Sequence, residues 1–411
     1  LQFIYSIGTY FAGFILKIVA LFNTKIKLGV DGRKRTFKIL EQQLEPTDKT
    51  IWFHCASLGE YEQGLPVFEK LREHFNKHKI VLSFFSPSGF EIRKNTTIAD
   101  IVVYLPLDTK TNAKRFINLL HPELTVFVKY DIWPNYLNLL KKKNAHTILI
   151  SAIFRPKQIY FKFYGNLFRK ALFTFNHIFV QYESSKKLLE SIGYNDVTIS
   201  GDTRYDRVSN QLNKNNTLDF IERFKSNKLS VVIGSSWPED ELLFTNFINN
   251  KHYPEVKYII APHNIKTSQI NNFISKTNTK SILFSEMENK PLEEYNVFII
   301  DTIGYLSKIY SYADIAYVGG AMGTTGLHNT LEPAVFGIPI LIGSNHKKFP
   351  EAQALINNGG MFSIKNQSQF NKALIKLLKN SDYRKKLGSK NLEFVKKNSG
   401  AVIQILDYLR I

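Results

Sequence analysis

The sequence is poor in cysteine, in acidic residues and in repeats, and each scarcity removes a class of protein. One cysteine among 411 residues, Cys55, leaves no intramolecular disulfide and no multi-cysteine metal site. That suits a reducing compartment. Only 35 Asp and Glu stand against 54 Lys and Arg, so the net charge is +19. Such a balance favours nucleic acid, anionic lipid or phosphorylated substrates as partners. Low-complexity tracts and obvious repeats are absent, which argues against linker-like and solenoid chains. The N-terminal apolar run has no basic stretch ahead of it and no small-residue cleavage site, so it does not read as a signal peptide.

What is present is a globular core and a patterned surface. Hydrophobic residues make up 44% of the chain, enough for sizeable cores, and its length suits two domains. Residues 1–22 are nearly all apolar, and a basic flank, KIKLGVDGRKR, follows. That length could just span a bilayer, with the flank held on the cytoplasmic side. A helix lying in the interface fits equally well, and an ordinary core helix is the plainer reading. A second basic and aromatic stretch, IFRPKQIYFKFYGNLFRKALFT (153–174), holds five Lys or Arg and no acid. The remaining lysines are scattered, as on a solvated surface.

Along the chain, short apolar runs alternate with helical stretches. TIWFHCAS, KIVLSFFS, IVVYLPLD, LTVFVKY, HTILISA and HIFVQYE read as strands, with crossover helices between most of them. The helix after the first strand carries Leu65, Phe68, Leu71 and Phe75 on one face. The polar, Asn/Lys-rich segment 206–228 reads as a linker. The rhythm restarts with LSVVIGSS, VKYIIAPH, SILFSE, NVFIID, IAYVGGA and IPILIGS. The expectation is α/β throughout: an N-terminal helix and basic flank (1–35), one domain at 36–205 and a second at 229–411. The last helical stretch, 381–411, is long enough to reach back to the first domain.

In open parallel sheets ligands bind beyond the carboxyl ends of strands. Two such ends stand out. Residues 319–343, GGAMGTTGLHNTLEPAVFGIPILIG, place glycines where a backbone must approach a ligand, then open a helix at HNTLEPA. A helix N-terminus there favours phosphate, and Glu332 suits a ribose diol; first-turn capping is the plainer role for that glutamate. The other end is WFHCASLGE, where Glu60 opens a helix behind small residues. Strand alternation sets Trp52, His54 and Ala56 on one face. His54 reads as a satisfied structural histidine, with base or substrate contact as the alternative, and Cys55 as core.

These two stretches closely resemble signatures of 3-deoxy-D-manno-octulosonic acid (Kdo) transferases, GG…GGHNPLEPAA…PVL-G and IH-V-SVGE. SPSGFE, DIWPN, GDTRYD, GSS…EDE, APH and DTIGYLSKIYSYADIAYVGG extend the likeness in the family's order from about residue 50 to 350. The resemblance implies a GT-B glycosyltransferase of two Rossmann-like domains facing across a cleft, with an N-terminal membrane-associated helix. It implies inverting transfer of Kdo from CMP-Kdo to a lipid A precursor in lipopolysaccharide biosynthesis, at the cytoplasmic face of the inner membrane. No bound metal or other cofactor is implied, and no obligate protein partner.

In family terms Glu60 matches the general base. A sugar hydroxyl is a poor nucleophile until a carboxylate takes its proton. The helix dipole is expected to lower the pKa of Glu60 and cost it some basicity. Arg204, where the family has a basic residue, matches a cation stabilising the departing CMP, with a salt bridge to Asp202 or Asp206 as the alternative. The motif M-E-T-E-L-W-P-N reads VKYDIWPN here, so Lys129 replaces the first glutamate and Asp131 the second. Lys129 cannot act as a carboxylate; it can attract the Kdo carboxylate or an acceptor phosphate. Asp131 is then the residue to share the role. Donor contacts carry over to Pro262 and His263, to Ile303, Gly304 and Tyr305, and to Asn329, Thr330, Leu331 and Glu332. Ser235 and Ser236 after VVIG are candidates for bonding the phosphate.

Other classes remain in competition at this level. A GT-B enzyme using a UDP-sugar fits the fold but not SLGE and HNTLEP. A nucleic-acid-binding protein fits the charge, yet no such motif is present and the bases cluster beside apolar runs. A non-catalytic membrane scaffold is suggested by Lys129 and Tyr305.

Overall fold

Strands flanked by helices on both sides can be apolar along their whole length, and here they build two all-parallel sheets. The computed structural model describes residues 2–250 and 253–411. Leu1, Lys251 and His252, which the expected N-terminal and C-terminal segments include, lie outside the described residues. The chain divides into two units, one running to Arg207 and adding Ser399–Ile411, the other Val208–Asn398.

The first unit contains α1 (Gln2–Val19), α2 (Thr24–Gln43), β1 (Thr50–Cys55), α3 (Leu58–His74), β2 (Lys79–Phe84), α4 (Pro87–Arg93), β3 (Ile101–Tyr104) and α5 (Lys110–Leu120). It continues with β4 (Pro122–Val128), α6 (Pro134–Lys142), β5 (His146–Ala152), β6 (His177–Val180) and β7 (Val197–Ile199). The strand order is β3-β2-β1-β4-β5-β6-β7. Every residue of β1 is buried, and alternation sorts its side chains between two cores. Trp52 joins Val81, Phe116 and Tyr136 on one face. Ile51, Phe53 and Cys55 join Phe68, Leu71 and Ile405 on the other.

The second unit contains β8 (Leu229–Ser236), β9 (Val256–Pro262), β10 (Ser281–Leu283), β11 (Val297–Ile299), β12 (Ile315–Val318), β13 (Ile340–Gly343) and β14 (Met361–Ile364). Their order is β10-β11-β9-β8-β12-β13-β14. In both sheets the first strand is internal, third of seven in one and fourth of seven in the other, and the order reverses beside it. This is the switch-point geometry that opens a crevice at the strand ends.

Four features depart from the sequence expectation or decide between its alternatives. The segment 206–228 is not a plain linker: helix Thr203–Ser209 runs into it, and helix Asp219–Lys225 buries Ile221 and Phe224 in the second unit. Ser399–Ile411 belongs to the first unit, because Asp206 accepts the backbone N–H groups of Gly400 (2.8 Å) and Ala401 (3.1 Å) that open the last helix. The edge strands β7 and β14 were not expected. Finally, no described helix is long and apolar enough to cross a membrane. α1 turns Tyr5, Thr9, Gly13 and Leu16 partly inward, and its Tyr5 hydroxyl donates to buried Asp108 at 2.7 Å. Its other face leaves Phe3, Ile7, Phe11, Phe14 and Ile18 exposed.

Candidate active site

β1 ends at Cys55, and Ala56 and Ser57 turn the chain into α3, whose first turn carries Glu60. The carboxylate folds back to accept the N–H of Ala56. Glu60 is only 5% exposed, which sets its chemistry. Desolvation by burial, helped by the nearby charge of Asp131, raises its pKa from 4.5 to about 7. The Ala56 N–H, Lys129 and the Ser57 N–H pull the other way and lose. The expected loss of basicity at a helix start is therefore reversed: burial outweighs the backbone N–H groups that favour the charged form. Beside it, a Cβ added at Gly59 meets nothing within 4 Å, so this side is open.

β4, the neighbour of β1 across the switch point, delivers the next residues. Lys129 leaves the strand in a left-handed conformation (φ 67°), its N–H bonded to the Ile150 carbonyl at 2.9 Å. Asp131 follows, with Oδ2 at 3.0 Å from His54 Nε2. A buried chain fixes that histidine. The Trp52 indole N–H donates to Ser83 Oγ (2.7 Å), and Ser83 Oγ lies 2.8 Å from His54 Nδ1. An ionised carboxylate only accepts, so the ring proton sits on Nε2, facing Asp131, and in that tautomer Nδ1 accepts the Ser83 hydroxyl proton. Trp133 Nε1 lies 3.2 Å from the same Nε2, the longest contact of the group, and donation from it requires the other tautomer.

His54 is thus the structural histidine the sequence suggested, with one added role: it holds Asp131. His54→Phe leaves the Ser83 hydroxyl without its acceptor and Asp131 without its donor. We expect urea denaturation to show a loss of about 1–3 kcal/mol, the usual cost of stranding a buried polar group.

Arg204 is tied to the same region through buried Asp202. Asp202 Oδ2 accepts Arg204 Nε at 2.9 Å, and Oδ1 accepts Gln63 Nε2 at 2.8 Å. Gln63 stands one turn beyond Glu60 on α3. The salt bridge to Asp202 is formed, and within one unit; Asp206 is engaged with the last helix instead.

In the second unit the ends of β8, β9 and β12 supply a second cluster. Ser235 takes a left-handed conformation (φ 53°) at the end of β8. The Ser236 hydroxyl is fully buried and donates to Glu241 at 2.9 Å, so it is committed internally and does not reach a ligand phosphate. After β9, Pro262 leads to His263, whose ring stacks on Trp237 (4.8 Å, 21°) and lies 4.3 Å from His328. Trp237 Nε1 donates to His328 Nε2 at 3.1 Å. Burial and neighbouring His263 push the pKa of His328 down to about 4, so it is neutral near pH 7.

The glycine loop is pinned by Asp240. This buried carboxylate accepts from the N–H groups of Gly320 (2.8 Å) and Trp237 (3.0 Å) and from the Tyr317 hydroxyl (2.7 Å). Gly319 is required: a Cβ there would lie 2.3 Å from the Ser235 carbonyl oxygen. The helix after the loop is only one turn, Leu331–Ala334. Asn329 accepts the Leu331 N–H (3.1 Å) and donates to Glu332 (3.0 Å), which steadies that carboxylate at the helix start. Thr330 and Leu331 are buried. Ile303 and Gly304 are exposed beyond β11, while Tyr305 packs on Phe220 and Phe284.

Trp237, Asp240 and His328 join this cluster without having been expected there from the sequence. The signals were there: Trp237 and Asp240 sit within GSSWPEDE, and His328 opens HNTLEP.

Residues 31–207 match the family described as 3-Deoxy-D-manno-octulosonic-acid transferase (kdotransferase). The chain is 28% identical over 377 residues to the 3-deoxy-D-manno-octulosonic acid transferase of Haemophilus influenzae, covering 89% of this chain and 87% of that one. Among solved structures it resembles a glycosyltransferase from Rickettsia africae (TM-score 0.57, 14% identity, 88% of this chain and 98% of the other). UDP-GlcNAc 2-epimerase from Neisseria meningitidis is similar at TM-score 0.60 and 16% identity, over 88% and 99% of the two chains. At such identities these structures establish the GT-B fold alone. Together with the motifs at both switch points, these matches make the chain similar to Kdo transferases, with the family's domain lying over residues 31–207.

Proposed function

We propose that this protein transfers Kdo from CMP-Kdo to the 6′-hydroxyl of a phosphorylated lipid A precursor, with inversion, at the cytoplasmic face of the inner membrane. The observation that carries the reading is Glu60, buried at the switch point with its pKa lifted to about 7. A carboxylate poised there is about half ionised near neutral pH, and its ionised form is basic enough to take a proton during attack.

Glu60 removes the proton of the acceptor hydroxyl as its oxygen bonds to the anomeric carbon of Kdo. The bond from that carbon to the CMP phosphate breaks, and its electrons leave with CMP. Attack opposite the leaving group inverts the centre. The cations Lys129 and Arg204 favour the anionic groups of the substrates. In the second unit, the glycine loop held by Asp240, the ring stack of His263 and Trp237, and Glu332 form the nucleotide side.

Membrane docking is the second part of the proposal. α1 exposes a row of large apolar side chains beside a basic flank. The basic aromatic stretch meets it directly, for Phe168 packs edge-on against Tyr5 at 5.6 Å. Phe163 there is 94% exposed. An interfacial helix needs such a face, and each base near an anionic surface adds about 1 kcal/mol.

The test is CMP release from CMP-Kdo with a lipid A precursor, alongside flotation with anionic vesicles. We expect release that depends on the acceptor, and flotation that weakens with salt and is lost in Phe11→Asp/Phe14→Asp. CMP binding without release from CMP-Kdo would sink the transfer reading. Flotation unchanged by the double substitution would sink the docking one.

A further inference from the structure

One cavity has no part in the transfer chemistry. It lies between α1, α2 and the loop joining β3 to α5, with a volume of about 540 Å³. That is within the range of small-ligand sites. Tyr10, Phe14 and Leu16 line it from α1, Val30 and Phe37 from α2, and Leu107 from the loop. Lys17, Arg33 and Lys34 line it too, and no acidic residue does among the described residues.

Arg33 is the informative side chain. Its Nε donates to the Leu105 carbonyl at 3.0 Å and its other arm to the Phe85 carbonyl, while the guanidinium lies 4.5 Å over the Phe85 ring. These contacts engage two of its N–H groups and leave its charge unbalanced. No carboxylate pairs with it among the described residues, and burial lowers its pKa. Lys17 has no acidic partner there either; only Lys34 does, in Asp31 at 2.8 Å. A partly buried cation without a counter-charge is costly, and an anion supplied from outside removes that cost.

We propose that this cavity binds one anionic phospholipid of the bilayer, its phosphate against Lys17, Arg33 and Lys34 and one acyl chain among Phe14, Val30, Phe37 and Leu107. The proposal rests on the docking part of the function above. α1 forms both the exposed apolar face and a wall of the cavity, so a lipid enters from the surface layer without leaving it. The volume suits a single chain, and Glu60 does not line the cavity. Both points favour a bilayer lipid over the multiply acylated acceptor.

The test uses the full chain without CMP-Kdo, and calorimetric titration with lysophosphatidylglycerol below its micelle concentration. We expect one site, at least tenfold tighter than for lysophosphatidylcholine. Thr111→Trp, which fills the rim, and Lys17→Glu each weaken it at least tenfold, while Lys25→Glu, outside the cavity, leaves it unchanged. Equal affinity for the two lysolipids overturns the proposal. So does wild-type affinity in both Thr111→Trp and Lys17→Glu. Competitive displacement by a lipid A precursor assigns the site to the acceptor and also overturns it. One-site binding in a protein that fails to float on vesicles supports the cavity while sinking the docking reading, so the two failures are distinguishable.

Discussion

Glu60→Gln binds CMP as the wild type does and turns over about 10²–10⁴-fold more slowly, the range expected for loss of a general base. Glutamine keeps the size of the side chain and an oxygen for the Ala56 N–H, so the turn from β1 into α3 survives and only the basicity goes. The pH profile separates this role from a structural one. With the Glu60 pKa at about 7, wild-type kcat rises with pH to a plateau above that value, and the rise disappears in the variant.

Stability gives an independent reading. The folded chain holds the Glu60 proton between pH 4.5 and about 7, where the unfolded chain has lost it. Stability therefore falls as pH rises through that window. Glutamine lacks this liability, so Glu60→Gln melts higher than wild type at pH 8 and loses that advantage at pH 4. If the variant keeps most of its activity, Asp131 is the base, and Asp131→Asn becomes the inactive protein. Equal melting temperatures at pH 8 would mean that burial does not strain Glu60.

Much of this arrangement was legible in the sequence, and what was not has physical reasons. The central strands announce themselves because both their faces are buried, which leaves runs such as IWFHC and YIIAP. β7 and β14 lie at sheet edges, with three and four residues and partly exposed side chains, too little apolar signal to see. Glu60 was visible through its motif, but its raised pKa was not, since that depends on burial and on Asp131. The pairing of His54 with Asp131 joins residues 77 apart in the chain, and only the β1–β4 register brings them together. Ser236 misled for a local reason. Its position after β8 matched a ligand contact, but its hydroxyl turns inward to Glu241.

Asp240→Ala abolishes CMP binding and lowers the melting temperature, although no motif reading gave this residue a role. Its carboxylate satisfies the Gly320 N–H, the Trp237 N–H and the Tyr317 hydroxyl at once, all at the carboxyl ends of β8 and β12. Removing it strands three donors, two of them buried, at about 1–3 kcal/mol for each buried one, less in sum because neighbouring losses are not additive. The damage is local as well as global. Gly320 sits at φ 95° and turns the chain toward Gly326 and His328, while Trp237 carries the stack with His263. Gly319→Ala attacks the same point by crowding, since its Cβ meets the Ser235 carbonyl oxygen at 2.3 Å and Asp240 Oδ2 at 2.7 Å. Titration with CMP and thermal melts of both variants check the argument. Loss of CMP affinity in both, beside undisturbed lysophosphatidylglycerol binding in the first unit, locates the nucleotide site at this switch point. Asp240→Ala with wild-type CMP affinity would show that the glycine loop is a structural turn and that the nucleotide is held elsewhere.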